Sequence, residues 1–145
     1  MAAGEVPRYL VETDFLFGLR EDDSLHPQVM KALEDHKEGE VKLALSSPST
    51  LEVMVVSLSQ GVQLEELATA THLMTLELST HQLHQYLSPS LHDLHTSISL
   101  RLENRGVTLF DSLHAALAKN NSVCLLSSDS IYDSLGIDRE DLATY

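Results

Sequence analysis

Basic residues are scarce in this chain. Its 145 residues include nine Lys and Arg against 22 Asp and Glu, which gives a formal net charge of −13 at pH 7. A protein that binds nucleic acid usually carries a basic patch. The excess of acids therefore argues against an ordinary nucleic-acid-binding protein. Either the partner is not a polyanion, or the local charge differs from the sum. Bound divalent cations could also change the sign of the local charge.

Long apolar runs are absent, and cysteine is nearly so. A membrane-spanning helix needs about 18 consecutive apolar residues, and the best candidate, residues 51–58, is interrupted by Glu52 and Ser57. The first residues contain no basic stretch followed by an apolar block, so no secretory signal is predicted. The single cysteine, Cys124, cannot form an internal disulfide, which is typical of a reducing compartment. We therefore expect a cytoplasmic protein with no membrane contact.

The length and the 43% content of hydrophobic residues fit one globular domain over residues 1–145. Four apolar segments are strand candidates: residues 8–13, 41–45, 73–78 and 122–126. The segments between them, including residues 63–70 and 79–87, predict helices. Alternation of this kind predicts an α/β fold with a central, mainly parallel sheet.

Four acids follow the predicted strands or begin the helices beside them: Asp14, Glu52, Asp111 and Asp129. Ligand sites in a parallel sheet lie outside the carboxyl ends of the strands, so we expect these side chains to converge there. Gathered carboxylates repel one another unless a cation lies among them. Oxygen ligands suit Mg²⁺ or Mn²⁺, and the pattern therefore favours a metal site.

Helix capping is the simpler explanation for each acid taken singly, because acids are common at helix starts. Asp14 and Asp111 could cap the helices that they begin. Ser49 and Glu52 have the spacing of a capping box, and Asp129 could cap the turn that follows it. Four acids at one edge of a sheet nevertheless favour a shared site over four unrelated caps.

Other metal and phosphate chemistries are less well supported. The histidine pairs at residues 81 and 84 and at residues 92 and 95 have helical spacing. A zinc site would need a third and a fourth ligand, however, and Cys124 lies in an apolar strand segment. Phosphatases of the haloacid-dehalogenase type require Asp-x-Asp after the first strand, but Phe-Leu-Phe follows Asp14. The phosphate loop GxxxxGK[ST] does not occur.

The segment TLFDSLHAALAKNNSVCLLSSDSIYDSLGI resembles the C-terminal half of a PIN domain. In that family an aspartate opens a helix rich in small residues, and a strand then leads to a Thr/Ser-polar-Asp turn with an aromatic three positions later. The matching residues are Asp111, Ala115, Ala116, Ser127, Ser128, Asp129 and Tyr132. YLVETDFLFGL and SSPSTLEVMVV are similar to the family's first strand and its helical glutamate segment, where Asp14 and Glu52 match. The resemblance covers residues 9–137.

The resemblance implies a PIN-like three-layer α/β/α sandwich and the activity of a VapC-type toxin, a ribonuclease that cuts single-stranded RNA. It implies that the catalytic residues and the ligands of Mg²⁺ or Mn²⁺ are the same four acids, Asp14, Glu52, Asp111 and Asp129. A metal in such a site lowers the pKa of a bound water, which then attacks the phosphorus.

The resemblance also implies partners, since many members of the family are dimers held by a small antitoxin protein. We therefore expect a homodimer and an antitoxin. The predicted dimer surface is the apolar face formed by Leu91, Leu94, Ile98 and Leu102, with Leu83 and Leu87 nearby. The alternative is a catalytically silent PIN fold that acts as a protein-binding module.

Overall fold

The computed structural model describes residues 4–145, which contain five strands and seven α-helices. The strands are β1 (Arg8–Val11), β2 (Lys42–Ser46), β3 (Tyr86–Leu87), β4 (Cys124–Ser127) and β5 (Arg139–Asp141). The helices are α1 (Thr13–Phe17), α2 (His26–Glu38), α3 (Pro48–Ser59), α4 (Leu64–Thr80), α5 (Leu91–Glu103), α6 (Leu109–Asn120) and α7 (Ile131–Ser134). None of the helices in this part of the chain has the length and apolar content that crossing a bilayer requires.

All five strands belong to one sheet, in the order β3-β2-β1-β4-β5. Every neighbouring pair is parallel, and β1 lies at the centre between β2 and β4. In a parallel sheet all the carboxyl ends lie along one edge. The loops and helix starts that follow β1, β2 and β4 are therefore neighbours, although they are far apart in the sequence.

Successive side chains of the strands supply two hydrophobic cores, one on each face of the sheet. Val11 and Leu45 pack on the face covered by α1, α2, α3 and α4. Leu10 and Ala44 pack on the opposite face, against α5, α6 and α7. The two-residue period of a strand explains this division, because neighbouring residues point to opposite faces. The predicted three-layer α/β/α architecture with a parallel sheet is confirmed.

The prediction of a strand over residues 73–78 is wrong, since these residues form the second half of α4. Leu67, Met74 and Leu78 follow helical spacing and contact the first core, whereas Leu73 and Leu76 are exposed. The 3.6-residue period of the longer segment therefore decides its conformation. The third strand is β3, inside the stretch predicted to be a short helix over residues 79–87.

The strand β5 is not predicted from the sequence, because its three residues, Arg139, Glu140 and Asp141, are all charged. It pairs with β4 at the edge of the sheet. A short, charged edge strand lacks apolar alternation, and such strands resist pairing with other chains.

Close contact between α1 and α2 depends on Gly18, which follows α1. A Cβ atom at Gly18 would lie 2.5 Å from Cγ2 of Val29, a fully buried residue of α2. Gly18→Ala should therefore destabilise the protein by about 1–3 kcal/mol, the usual cost of overpacking. Urea unfolding measures the change. Gly106→Ala is the matched control, because a Cβ there meets nothing within 4 Å. Equal effects of the two substitutions would contradict this packing.

Candidate metal centre

An open cleft of about 480 Å³ lies at the carboxyl edge of the sheet. The structure brings together all four acids predicted from the sequence, and each comes from a different element. Asp14 lies in α1, Glu52 in α3, Asp111 in α6, and Asp129 in the turn after β4. A fifth acid, Glu12, also lines the cleft. Among residues 4–145, no Lys or Arg does so, and the cleft is therefore strongly anionic.

Capping does not explain Glu52 or Asp111. The residue before α3 is Ser47, whose side chain makes no capping hydrogen bond, so Glu52 belongs to no capping box. The cap of α6 is Thr108, whose hydroxyl accepts a hydrogen bond from the backbone N–H of Asp111 at 3.2 Å. The Asp111 carboxylate is thus not the cap itself, and it lines the cleft. Asp129 does cap locally, since its Oδ1 accepts the backbone N–H of Ile131 at 3.0 Å.

Asp14 is held by the turn that follows β4. Its Oδ2 accepts hydrogen bonds from the backbone N–H of Ser128 at 2.7 Å, the Ser128 hydroxyl at 2.8 Å and the Ser127 hydroxyl at 3.2 Å. Its Oδ1 is buried and has no hydrogen-bond partner within residues 4–145. A buried acceptor without a partner is costly. A cation in the cleft would satisfy this oxygen.

Glu52 is held by a second network, centred on the fully buried His114. Nε2 of His114 lies 2.9 Å from Oε1 of Glu52, and Thr13 donates its hydroxyl to the same oxygen. Nδ1 of His114 lies 2.6 Å from the Ser46 hydroxyl. Burial alone raises the pKa of Glu52, but the hydrogen bonds from His114 and Thr13 outweigh it, and the net shift is downward. Glu52 is thus kept ionised.

The pKa of Glu12 shifts in the opposite direction. Burial raises the pKa of Glu12 well above its ordinary value, and the adjacent Asp14 carboxyl and the charge of Glu52 raise it further. The Ser127 hydroxyl donates to Oε1 of Glu12 at 3.0 Å. The surroundings of Glu12 therefore disfavour a second charge beside Asp14.

The pKa of Asp111 is raised, mainly by burial. Burial raises its pKa, and the charges of Asp129 and Glu52 add to this effect, while a hydrogen bond from Thr108 opposes it. Tyr132 lies fully buried near the same acids. Burial raises the pKa of its hydroxyl, as do the nearby carboxylates. The phenol therefore stays neutral.

The donor set of the cleft fits a hard divalent cation. Carboxylate oxygens are the ligands that Mg²⁺ and Mn²⁺ prefer, and a cation would offset the repulsion felt at Asp111. The tightest group of possible ligand atoms is instead Glu12, Glu52 and His114, within 4.8 Å of one another. We favour the carboxylates, because Nε2 of His114 is directed at Oε1 of Glu52.

Solved structures share this architecture. One is a toxin–antitoxin complex from Klebsiella pneumoniae, with 22% identity, a TM-score of 0.54, and coverage of 84% of this chain and 87% of that chain. Another is VapBC2 from Rickettsia felis bound to a DNA fragment from their promoter, with 17% identity, a TM-score of 0.70, and coverage of 92% and 98%. A third is FitAcB from Neisseria gonorrhoeae, with 17% identity, a TM-score of 0.67, and coverage of 92% and 97%.

The chain has the PIN-like fold of VapC-type proteins. The match extends over nearly the whole described chain, so the resemblance seen in the sequence is confirmed for the fold. No protein-family model and no curated protein sequence matches the chain. The likeness at these identities therefore lies in the architecture.

Reasoning from the sequence misses two residues that contact the acids of the cleft. Glu12 lies between β1 and α1, inside the segment that the sequence predicts to be a strand. His114 lies one helical turn after Asp111, which places both on the same side of α6. The spacing of Asp111 and His114 was a usable signal for the histidine.

The raised pKa of Glu12 predicts how stability changes with pH in the metal-free protein. The folded protein binds this proton more tightly than the unfolded chain, whose pKa stays near 4.5. Glu12 therefore contributes stability that is complete below about pH 4.5 and is lost as the pH rises through the folded-state value. Glu12→Gln, which is neutral at every pH, should melt at a higher temperature than wild type at pH 8 in EDTA.

Thermal melting at several pH values measures this difference, which should shrink as the pH falls toward 4.5. The matched control is Glu38→Gln, since Glu38 is exposed at the end of α2, away from the cleft. It should melt like wild type throughout. A Glu12→Gln protein that melts no higher than wild type at pH 8 would show that Glu12 is not a site of stored repulsion.

Proposed function

We propose that this protein is a Mg²⁺- or Mn²⁺-dependent endoribonuclease that cleaves single-stranded RNA, and that it is the toxin of a toxin–antitoxin pair. One observation carries the proposal: carboxylates from four separate elements converge in a cleft where no Lys or Arg of residues 4–145 offsets their charge. The PIN-like fold supports it. The net charge of −13 is compatible with it, because a cation in the cleft would present positive charge to a phosphate.

In this proposal the metal ligands and catalytic residues are Asp14, Glu52, Asp111 and Asp129. A bound cation would lower the pKa of water and stabilise the charge that develops on the phosphate. The hydrogen bonds from Ser127 and Ser128 orient Asp14 and leave its Oδ1 for the metal.

Glu12 supports the ligands because its raised pKa disfavours a second charge beside Asp14. Two charged carboxyls would repel each other, and this would push Asp14 away from the position in which its Oδ2 accepts three hydrogen bonds. Ser127 contacts both acids, since its hydroxyl lies 3.0 Å from Oε1 of Glu12 and 3.2 Å from Oδ2 of Asp14.

The proposed partner is an antitoxin protein. Two of the similar structures, from Klebsiella pneumoniae and Rickettsia felis, are described as a toxin–antitoxin complex and as VapBC2. Their likeness to this chain supports the proposal through the fold alone. The proposed location is the cytoplasm, where single-stranded RNA is abundant and a chain with one cysteine needs no disulfide.

The activity predicts cleavage of single-stranded RNA in the presence of Mn²⁺ or Mg²⁺ and none in EDTA. Asp111→Asn should lower the rate by at least about 100-fold, because even the loss of an outer-shell partner of a metal site can cost that much. Asparagine keeps the shape of the side chain and removes its charge. Gel analysis of a labelled RNA measures the rate.

The control variant is Glu38→Gln, which removes an acid outside the cleft and should cleave like wild type. Cleavage that survives both EDTA and Asp111→Asn would come from another source and would contradict the proposal. A protein that binds Mn²⁺ in the cleft but cuts no RNA would instead favour the silent protein-binding module.

The proposed assembly is a homodimer formed through α5. Leu91, Leu94, Ile98 and Leu102 are all exposed, at 85%, 41%, 51% and 61% of their full surface. Contiguous apolar surface of this kind marks interaction sites. Leu83 and Leu87 do not extend it, because Leu83 is buried in the first core and Leu87 packs against the second.

The dimer predicts a mass of two chains by light scattering at micromolar concentration. Ile98→Glu should give a monomer, since it places a charge in the centre of the apolar face while the side chain is exposed in the single chain. Leu73→Glu is the control, because Leu73 is similarly exposed on α4 and lies outside this face. A monomeric wild type would contradict the dimer.

A further inference from the structure

His114 is an unusual residue for its surroundings. It is fully buried in α6, in a run that includes the buried Ala115, Ala116 and Leu117. A polar ring is costly in such a place unless its nitrogens are hydrogen-bonded. Both of them are, one to Ser46 at the end of β2 and the other to Glu52 in α3. His114 thus connects three elements beneath the cleft.

The partners of His114 decide which nitrogen carries a hydrogen. The carboxylate of Glu52 can only accept, so Nε2 must donate to it. Ser46 is fully buried, and its hydroxyl can donate to Nδ1. The resulting chain runs from the Ser46 hydroxyl through the imidazole to Oε1 of Glu52.

A nucleophilic role for this serine, histidine and glutamate is excluded by burial. A nucleophile must reach its substrate, whereas Ser46 has no exposed surface. Of the three residues in this hydrogen-bonded series, only Glu52 lines the cleft. Ser46 and His114 can therefore affect the cleft only through the carboxylate of Glu52.

The two oxygens of Glu52 are used differently. Oε1 accepts hydrogen bonds from both His114 and Thr13. Oε2 has no hydrogen-bond partner among residues 4–145, and the side chain is 17% exposed in the cleft. Fixing one oxygen of a carboxylate fixes the direction of the other. Hydrogen bonds of this kind to metal-binding carboxylates raise affinity without touching the ion.

We propose that His114 is a positioning residue, which holds Oε1 of Glu52 so that Oε2 is directed to the cation in the cleft. The inference rests on the proposed function, because it needs a cation among the four acids. It also explains why α6 supplies two residues to the site. Asp111 enters the cleft directly, and His114, one turn later, acts through Glu52.

The test is the Mn²⁺ affinity of metal-stripped protein, measured by the electron paramagnetic resonance signal of free Mn²⁺. His114→Met keeps a buried side chain of similar size but removes the donor, and should weaken binding by about 10–100-fold. His114→Gln places an amide N–H close to the position of Nε2 and should restore most of the affinity. Leu117→Val perturbs the same buried helix without contacting the cleft and should bind like wild type.

Each outcome decides the inference. His114→Met that binds as tightly as wild type would overturn it, as would His114→Gln that binds as weakly as His114→Met. Wild type that binds no Mn²⁺ would overturn the proposed function and the inference together. If neither variant folds, nitrogen NMR of wild type still decides, because the inference requires a hydrogen on Nε2. A bare Nε2 would overturn it.

Discussion

Repulsion among carboxylates at the carboxyl edge of the sheet is the constraint on which the site depends. The parallel order of β2, β1 and β4 brings the ends of these strands together, and each is followed by at least one acid. Charges of one sign at short range in a partly buried cleft disfavour the ionised state. The folded chain must therefore contain features that relieve this repulsion or that make use of it.

Each acid meets this constraint in its own way. The pKa of Glu12 is raised, Asp14 accepts hydrogen bonds from the turn after β4, and Glu52 is stabilised by His114 and Thr13. Asp111 has the least support from hydrogen bonds, and its pKa is raised by burial and by its neighbours. These shifts indicate that the cleft disfavours additional negative charge. A cation would relieve this, and local rules of stability are often broken in this way at functional sites.

The four predicted acids could be found from the sequence because their position depends on topology. Strand ends in a parallel sheet share one edge, so the order of elements was enough to bring Asp14, Glu52, Asp111 and Asp129 together. Glu12 and His114 were missed for a different reason. Their importance comes from burial and from partners remote in the sequence, such as Ser127 for Glu12 and Ser46 for His114.

The errors in secondary structure have a similar origin. The segment LMTLEL contains enough apolar residues for a strand. Its buried positions instead continue the helical spacing of apolar residues that begins at Leu67 in α4. The true third strand, Tyr86–Leu87, has two residues, too few to show a period. Neither error moved the site, because Asp14, Glu52 and Asp129 follow β1, β2 and β4, and Asp111 lies at the start of the helix that leads into β4.

The central claim is that the four acids form one cation site, and anomalous X-ray scattering from crystals soaked in Mn²⁺ tests it most directly. The account predicts a peak in the cleft within ligand distance, about 2.0–2.2 Å, of carboxylate oxygens from several of the four acids. Oδ1 of Asp14 and Oε2 of Glu52 should be among them. A peak coordinated by Nε2 of His114, or a cleft without a peak while Mn²⁺ binds elsewhere on the protein, would contradict the account.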